Sequence, residues 1–166
     1  CYTMKILIAL FLIWMSLVAG AREIDDFVNI AESGTYDFGG KTLFIKSGAN
    51  TPAIVIGDPF NENPSFIIKD VILKNVTIYG NEQNQTSEYH SKYKFLRNNG
   101  ITIRGGQNIT VENVVVIGAR SGGLVTEKNS SNIKILNSTF SENYFDGVAA
   151  CETTDSQFTN LILARN

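Results

Sequence analysis

The chain has 166 residues, a net charge of −2 and 43% hydrophobic residues, which fits one ordinary globular domain. No run of Lys or Arg is present to neutralise phosphates, so nothing in the charge balance points to nucleic acid and no nucleic-acid partner is expected.

Cys1-Tyr2-Thr3 precede Met4 and read as translated upstream sequence. Residues 4–21 then read as a secretory signal peptide. Lys5 supplies the positive start, Ile6 to Val18 is apolar except for Ser16, and Ala19-Gly20-Ala21 offers small residues for cleavage before Arg22. That apolar run of 13 residues is short beside the roughly 20 that a bilayer requires. The expectation is a secreted, periplasmic or cell-surface protein with no membrane span after cleavage. Cleavage leaves Cys151 as the one cysteine, so packing rather than a disulfide must stabilise the fold. Its expected role is that of a buried small hydrophobe rather than a nucleophile.

Residues 24–31 predict a short capping helix, with Asp25 or Asp26 at its start and Ile24, Phe27, Val28 and Ala31 on one stripe. Gly34 ends it. Residues 35–45 read as two strands separated by Gly39-Gly40. Ala53 to Gly57 resembles the later segment that begins at Gly100, and Val71 to Ile78 aligns with Ile109 to Val116. The alignment implies an insertion among residues 80–99, which is polar and carries Tyr89, Tyr93 and a solvated His90. In repeat proteins such insertions emerge as loops on one face, often the binding face.

From Gly100 onward the chain repeats. Gly100, Gly123 and Gly147 open three units, and Asn113, Asn137 and Asn160 recur within them, both at spacings of 23 and 24. Ile101, Ile103, Ile109, Val111 and Val116 point one way, and Thr102, Thr110 and Glu112 the other. Leu124, Ile133, Ile135 and Phe140 repeat the inward set, followed by Val148, Phe158 and Leu163. Alternation over three to five residues between Gly and Asn means short half-buried strands. A unit this short cannot bury its own apolar face, whereas stacked units can, as parallel strands about 4.8 Å apart. Asn75, Asn113, Asn137 and Asn160 then form a ladder at a left-handed corner. Five glycosylation-type triplets, at Asn75, Asn84, Asn108, Asn129 and Asn137, are read as such corners leading into strands rather than as glycan acceptors.

Asn108-Ile-Thr-Val-Glu-Asn and Asn132-Ile-Lys-Ile-Leu-Asn, with Gly-Ile and Gly-Leu strands between them, resemble right-handed parallel β-helix repeats. Gly34-Thr-Tyr-Asp-Phe-Gly-Gly-Lys-Thr-Leu is similar to the first coil of pectin-lyase-like proteins. The fold class expected is all-β, a right-handed parallel β-helix over residues 22–166 with a short N-terminal capping helix. Because Asn166 falls where Asn143 falls one unit earlier, the domain is expected to be truncated at its C-terminal end and monomeric when full length.

The resemblance implies a polysaccharide partner, acidic or neutral, and a lyase, glycoside hydrolase or epimerase. The alternative class is a non-catalytic surface adhesin or structural solenoid. Catalytic candidates are Asp146, as general acid or base, and Arg120, one coil below it, to bind a sugar carboxylate. Tyr144 and Arg97 are the candidate substrate-binding residues. The plain alternative is that Asp146-Gly147 is a turn pair and Arg120 a surface charge. Arg104 with Glu127, and Lys128 with Glu152, are expected as surface ion pairs of small value. No cofactor is identified. Calcium would need clustered carboxylates, and Asp146, Glu152 and Asp155 are the nearest set. The Asn-Thr-Asp, Asp-Asp, Gly-His-Gly and Arg-Ile-Lys set of polygalacturonases and the Asp-Pro-His-Asp run of mannuronan epimerases are absent.

Overall fold

The computed structural model describes residues 21–166. The leading residues 1–3 and nearly all of the signal peptide expected over 4–21 lie outside the described residues. Eleven strands follow in order: β1 (Ala21–Ile24), β2 (Val28–Ile30), β3 (Gly34–Ile45), β4 (Ile54–Gly57), β5 (Ile68–Tyr79), β6 (Ile101–Arg104), β7 (Gly106–Ile117), β8 (Leu124–Glu127), β9 (Ser130–Ser141), β10 (Val148–Ala150) and β11 (Thr153–Ala164). Long and short strands alternate. β1, β3, β5, β7, β9 and β11 make one parallel sheet, and β2, β4, β6, β8 and β10 make a second. Each coil therefore gives one strand to each sheet, and the chain winds as a parallel β-solenoid.

The long strands bend because left-handed residues recur along them at every fifth position. In β7 and just after it these are Asn108, Asn113 and Gly118, and one coil later Asn132, Asn137 and Glu142. Asn accepts this backbone at least cost among side chains with a Cβ. Each such residue also shifts the side-chain alternation by one. Ile109 and Val111 face inward before Asn113, and Val114 and Val116 face inward after it, all with no exposed surface. The corner therefore turns the chain without exposing its apolar set.

The register matches the sequence alignment: Val71 lies beside Ile109 and Val76 beside Val114, and Ile54 lies beside Ile101. Ile133, Ile135, Phe140 and Leu124 continue the same core columns and are fully buried. Each such side chain contributes about 1.5–3 kcal/mol by leaving water. Phe158 and Leu163 are in register with Ile135 and Phe140. They remain 46% and 54% exposed, because β11 pairs on one edge only.

The glycine markers mark close approach rather than a special backbone angle. A Cβ on Gly123 would stand 2.5 Å from the Gly147 carbonyl oxygen, and one on Gly100 would stand 2.3 Å from Val116 Cγ1.

The corner ladder is real but interrupted. Asn113 Nδ2 donates to Asn75 Oδ1 at 2.7 Å, and Asn160 Nδ2 to Asn137 Oδ1 at 2.9 Å, while Asn137 Nδ2 turns to Glu112 Oε1 at 3.5 Å. A second ladder runs Asn132 to Asn108 to Asp70. Asn75, Asn108, Asn129 and Asn137 all hold positive φ, as corners should. Asn84 does not belong with them, since it ends a 3₁₀ turn, Glu82–Asn84.

The capping helix expected over 24–31 is not formed. Ile24 pairs with Ile45 in β1, and Val28 and Ile30 pair with Ile54 and Ile56 in β2. β-Branched residues at alternate positions suit a pleated edge better than a two-turn helix, and pairing satisfies their backbone groups. Nor do residues 35–45 split into two strands. β3 runs through, with a register shift between Asp37 and Lys41 where Gly39 and Gly40 hold positive φ.

Candidate functional site

The outer face of the short-strand sheet differs from the rest of the solenoid because two irregular segments rise beside it. One is the insertion at 80–99, which is a packed wall rather than a solvated loop. Its Leu96 is fully buried, and its Gln85, His90, Asn98 and Asn99 are nearly so. Asn50 ties it to the coil below, its Oδ1 accepting from the backbone N–H groups of Thr86 and Ser87. His90 is likewise not solvated, being 3% exposed. Its Nδ1 accepts from the N–H groups of Lys92 and Tyr93, so the ring proton lies on Nε2, which donates to Asp26 at 3.0 Å. Phe27 and Tyr93 pack on the same ring. His90 is therefore a fastening between the wall and the first coil.

The other segment is the loop between β4 and β5, held by Arg104. This residue is 1% exposed, not the surface charge expected. Its guanidinium donates to the carbonyl oxygens of Asp58, Asn61 and Glu62, pairs with Glu127 and lies over the Phe95 ring. A side chain with five donors and a buried stem is needed to collect so many backbone oxygens. Burial pushes the Glu127 carboxyl up, and the attraction of Arg104 offsets this only in part. Desolvation also acts upward on Asp58, but hydrogen bonds from Ser65, Asn61 and the Phe60 N–H hold its carboxyl well below the usual carboxylate range. No ion pair joins Lys128 to Glu152, both of which sit at left-handed backbone positions.

Where the wall ends, β8 and β10 floor a hollow of about 280 Å³. Val125 and Ala149 form its base, Arg97 comes from the wall, and Phe145 and Asp146 come from the turn before β10. Cys151 lines the far side and is exposed, which overturns its expected burial. It follows Glu127 in the strand register on the outer face, where no wall covers it. Stacked turns hold the rim, with Tyr144 N–H donating to the Ala119 carbonyl, Phe145 N–H to that of Ser121, and Gly122 N–H to Asn99 Oδ1.

Three of the four candidate residues have aromatic neighbours that explain their position. The Arg97 guanidinium lies 4.8 Å from the Tyr89 ring and 5.5 Å from the Phe145 ring. Arg120 lies 4.2 Å over Tyr144, and Tyr144 meets Phe145 edge-on at 4.9 Å. The structure thus gathers Arg97 and Asp146 in one hollow with Tyr144 on its rim. Arg120 is not among the residues lining the hollow and instead faces Glu82 at 3.8 Å. Phe145, which lines the hollow, was missed as a site residue. The legible signal was the adjacent aromatic pair Tyr144-Phe145 just before an Asp-Gly turn, where core packing cannot use both rings.

The parallel coils, the corner columns and this one-sided elaboration agree with a family model described as a right handed beta helix region, which matches residues 24–164. The chain belongs to the right-handed β-helix family. Its strand-to-strand crossovers have the hand that parallel connections adopt almost without exception. No curated protein and no solved structure matches the chain. Among the described residues of this β-helix, no group of three or more His, Cys, Asp or Glu side chains is placed to hold a metal ion, so Asp146, Glu152 and Asp155 are not gathered into a calcium site. No helix among them is long and apolar enough to cross a membrane.

Proposed function

We propose that this β-helix is an exported carbohydrate-active protein that binds a polysaccharide in the hollow above β8 and β10. The observation that carries the reading is the combination of ring faces, a guanidinium and a carboxylate at one concave place. Tyr144 and Phe145 are 48% and 44% exposed, although side chains of that size are ordinarily drawn into a core. Sugar rings present apolar C–H faces that suit such rings, and hydroxyls that suit Arg97 and Asp146. Polar groups set among apolar walls are the ordinary make-up of a ligand site. The apolar run from Ile6 to Val18 behind Lys5 supports export.

In this reading Asp146, whose side chain lines the hollow, is the general acid or base of a lyase, hydrolase or epimerase. One observation favours the second reading, a non-catalytic solenoid that adheres to a glycan surface. Arg120, the cation expected to assist Asp146, is engaged by Tyr144 and Glu82 instead.

Electrophoresis of the full chain through gels containing single polysaccharides tests the proposal. Retardation by at least one polysaccharide, lost in Phe145→Ala, is expected. Unchanged mobility in every gel would overturn it. Release of reducing ends or unsaturated products by the wild type, but not by Asp146→Ala, separates the enzyme from the adhesin.

A further inference from the structure

We infer that the sugar unit seated in the hollow is uncharged, a neutral hexose or pentose rather than a uronate. The inference rests on the reading of the hollow as a polysaccharide site and concerns which class of polysaccharide it takes.

The charges decide it. Arg97, the cation that lines the hollow, already faces Glu88 at 3.4 Å. Arg120, beside the rim, faces Glu82 at 3.8 Å. Arg104, deeper along the same face, is buried and shared between Glu127 and three carbonyl oxygens. Every arginine near the hollow thus has a carboxylate of its own. Asp146 is the reverse case, since its carboxylate lines the hollow and makes neither a hydrogen bond nor an ion pair with any described residue. A uronate carboxylate entering here would meet one uncompensated negative charge and would have to compete with Glu88 for Arg97. Like charges within a few ångströms cost free energy at partly shielded sites.

A neutral sugar has the opposite fit. Its hydroxyls donate to the free carboxylate oxygens of Asp146, a charge-assisted bond of the stronger kind. Its C–H face can lie against the Phe145 ring and the Val125 and Ala149 side chains that line the same hollow. At about 280 Å³ the hollow falls just below the range of closed small-molecule sites, which begins at roughly 300 Å³. It suits one or two sugar units of a longer chain.

Calorimetric titration of the full chain tests this. The probes are gluco-, xylo-, manno- and galacto-hexaoses of β-linked neutral polysaccharides and a hexamer of galacturonate, each at low and at high salt. At least one neutral hexaose should bind, with a Kd changing less than about twofold with salt, since no ion pair with the ligand is screened. Asp146→Ala should weaken that binding about tenfold, the loss of one charge-assisted hydrogen bond, with an unchanged melting temperature because Asp146 holds nothing else. For the galacturonate hexamer the same substitution should leave affinity unchanged or raise it. Glu88→Gln, which uncovers Arg97, should raise it too.

Salt-sensitive binding of the galacturonate hexamer, or a loss of that binding in Asp146→Ala, would overturn the inference and leave the polysaccharide site standing. Absence of binding by every probe would overturn both.

Discussion

The two sheets of this solenoid are built on different terms. In the long-strand sheet β5, β7 and β9 repeat one another, each with an inward aliphatic pair, a left-handed Asn corner and a further inward pair. The outer face of the short-strand sheet is built from contacts that occur once: Arg104 collecting the loop after β4, His90 fastened to Asp26, and Asn50 bracketing Thr86 and Ser87. The repeated sheet is stabilised by columns in which each layer supports the next. The elaborated face is stabilised by single side chains, and it is where polar groups and aromatic rings remain available to a ligand. Regularity therefore carries the fold, and departure from it carries the site.

That contrast can be broken most forcefully in the repeated sheet. Ile109→Ala empties a fully buried place between Val71 and Ile133, and should cost about 2–5 kcal/mol by chemical denaturation, with cooperativity retained. On the elaborated face, Arg104→Leu strips three carbonyl oxygens and Glu127 of their donor. The expected cost is about 2–3 kcal/mol, moderated because Glu127 keeps some access to water. Protease sensitivity should appear first between Asp58 and Ser65, which would show that Arg104 serves one loop and not the whole stack.

Smaller is the loss at a corner. Asn137→Ala places a Cβ residue without a side-chain amide at φ 50° and should cost about 1–2 kcal/mol. Acid provides a signed test. The Asp58 carboxyl is held below its usual range, so its stabilising contribution is present above the ordinary Asp pKa of about 3.9 and is lost as pH falls toward the folded value. Asp58→Asn should be less stable than wild type at neutral pH, and the gap in melting temperature should narrow on acidification below about pH 4. A gap that stays constant with pH would show that the hydrogen bonds to Asp58 do not depend on its charge.

The same contrast governs what could be read from the sequence. Periodic signals were readable because they are written several times: the Gly100, Gly123 and Gly147 column, the Asn113, Asn137 and Asn160 column, and the register of Val71 with Ile109 all stand as expected. The helix expected at 24–31 failed because a single amphipathic stripe cannot reveal that Ile54 and Ile56 lie alongside to receive Val28 and Ile30 as a strand. Arg104 and His90 were misjudged for a related reason. Whether a charged or titratable side chain is buried depends on loops that fold back over it, and neither the Asp58–Ser65 loop nor the 80–99 wall repeats elsewhere in the chain. At the site, columns put Arg97, Arg120, Tyr144 and Asp146 along one coil edge, and the structure brings Arg97 and Asp146 to one hollow. Register alone did not show that Arg120 turns to Glu82 or that Phe145 enters the hollow.

The most direct test of the account is to map a bound glycan on the full chain. Backbone amide shifts should be followed while the neutral hexaose that binds most tightly is titrated in. Shifts should concentrate at Gly122, Val125, Phe145, Asp146 and Ala149, with the corner column at Asn75, Asn113 and Asn137 unmoved. Shifts centred on those corners, or spread along β5, β7 and β9, would contradict this and place recognition on the regular sheet.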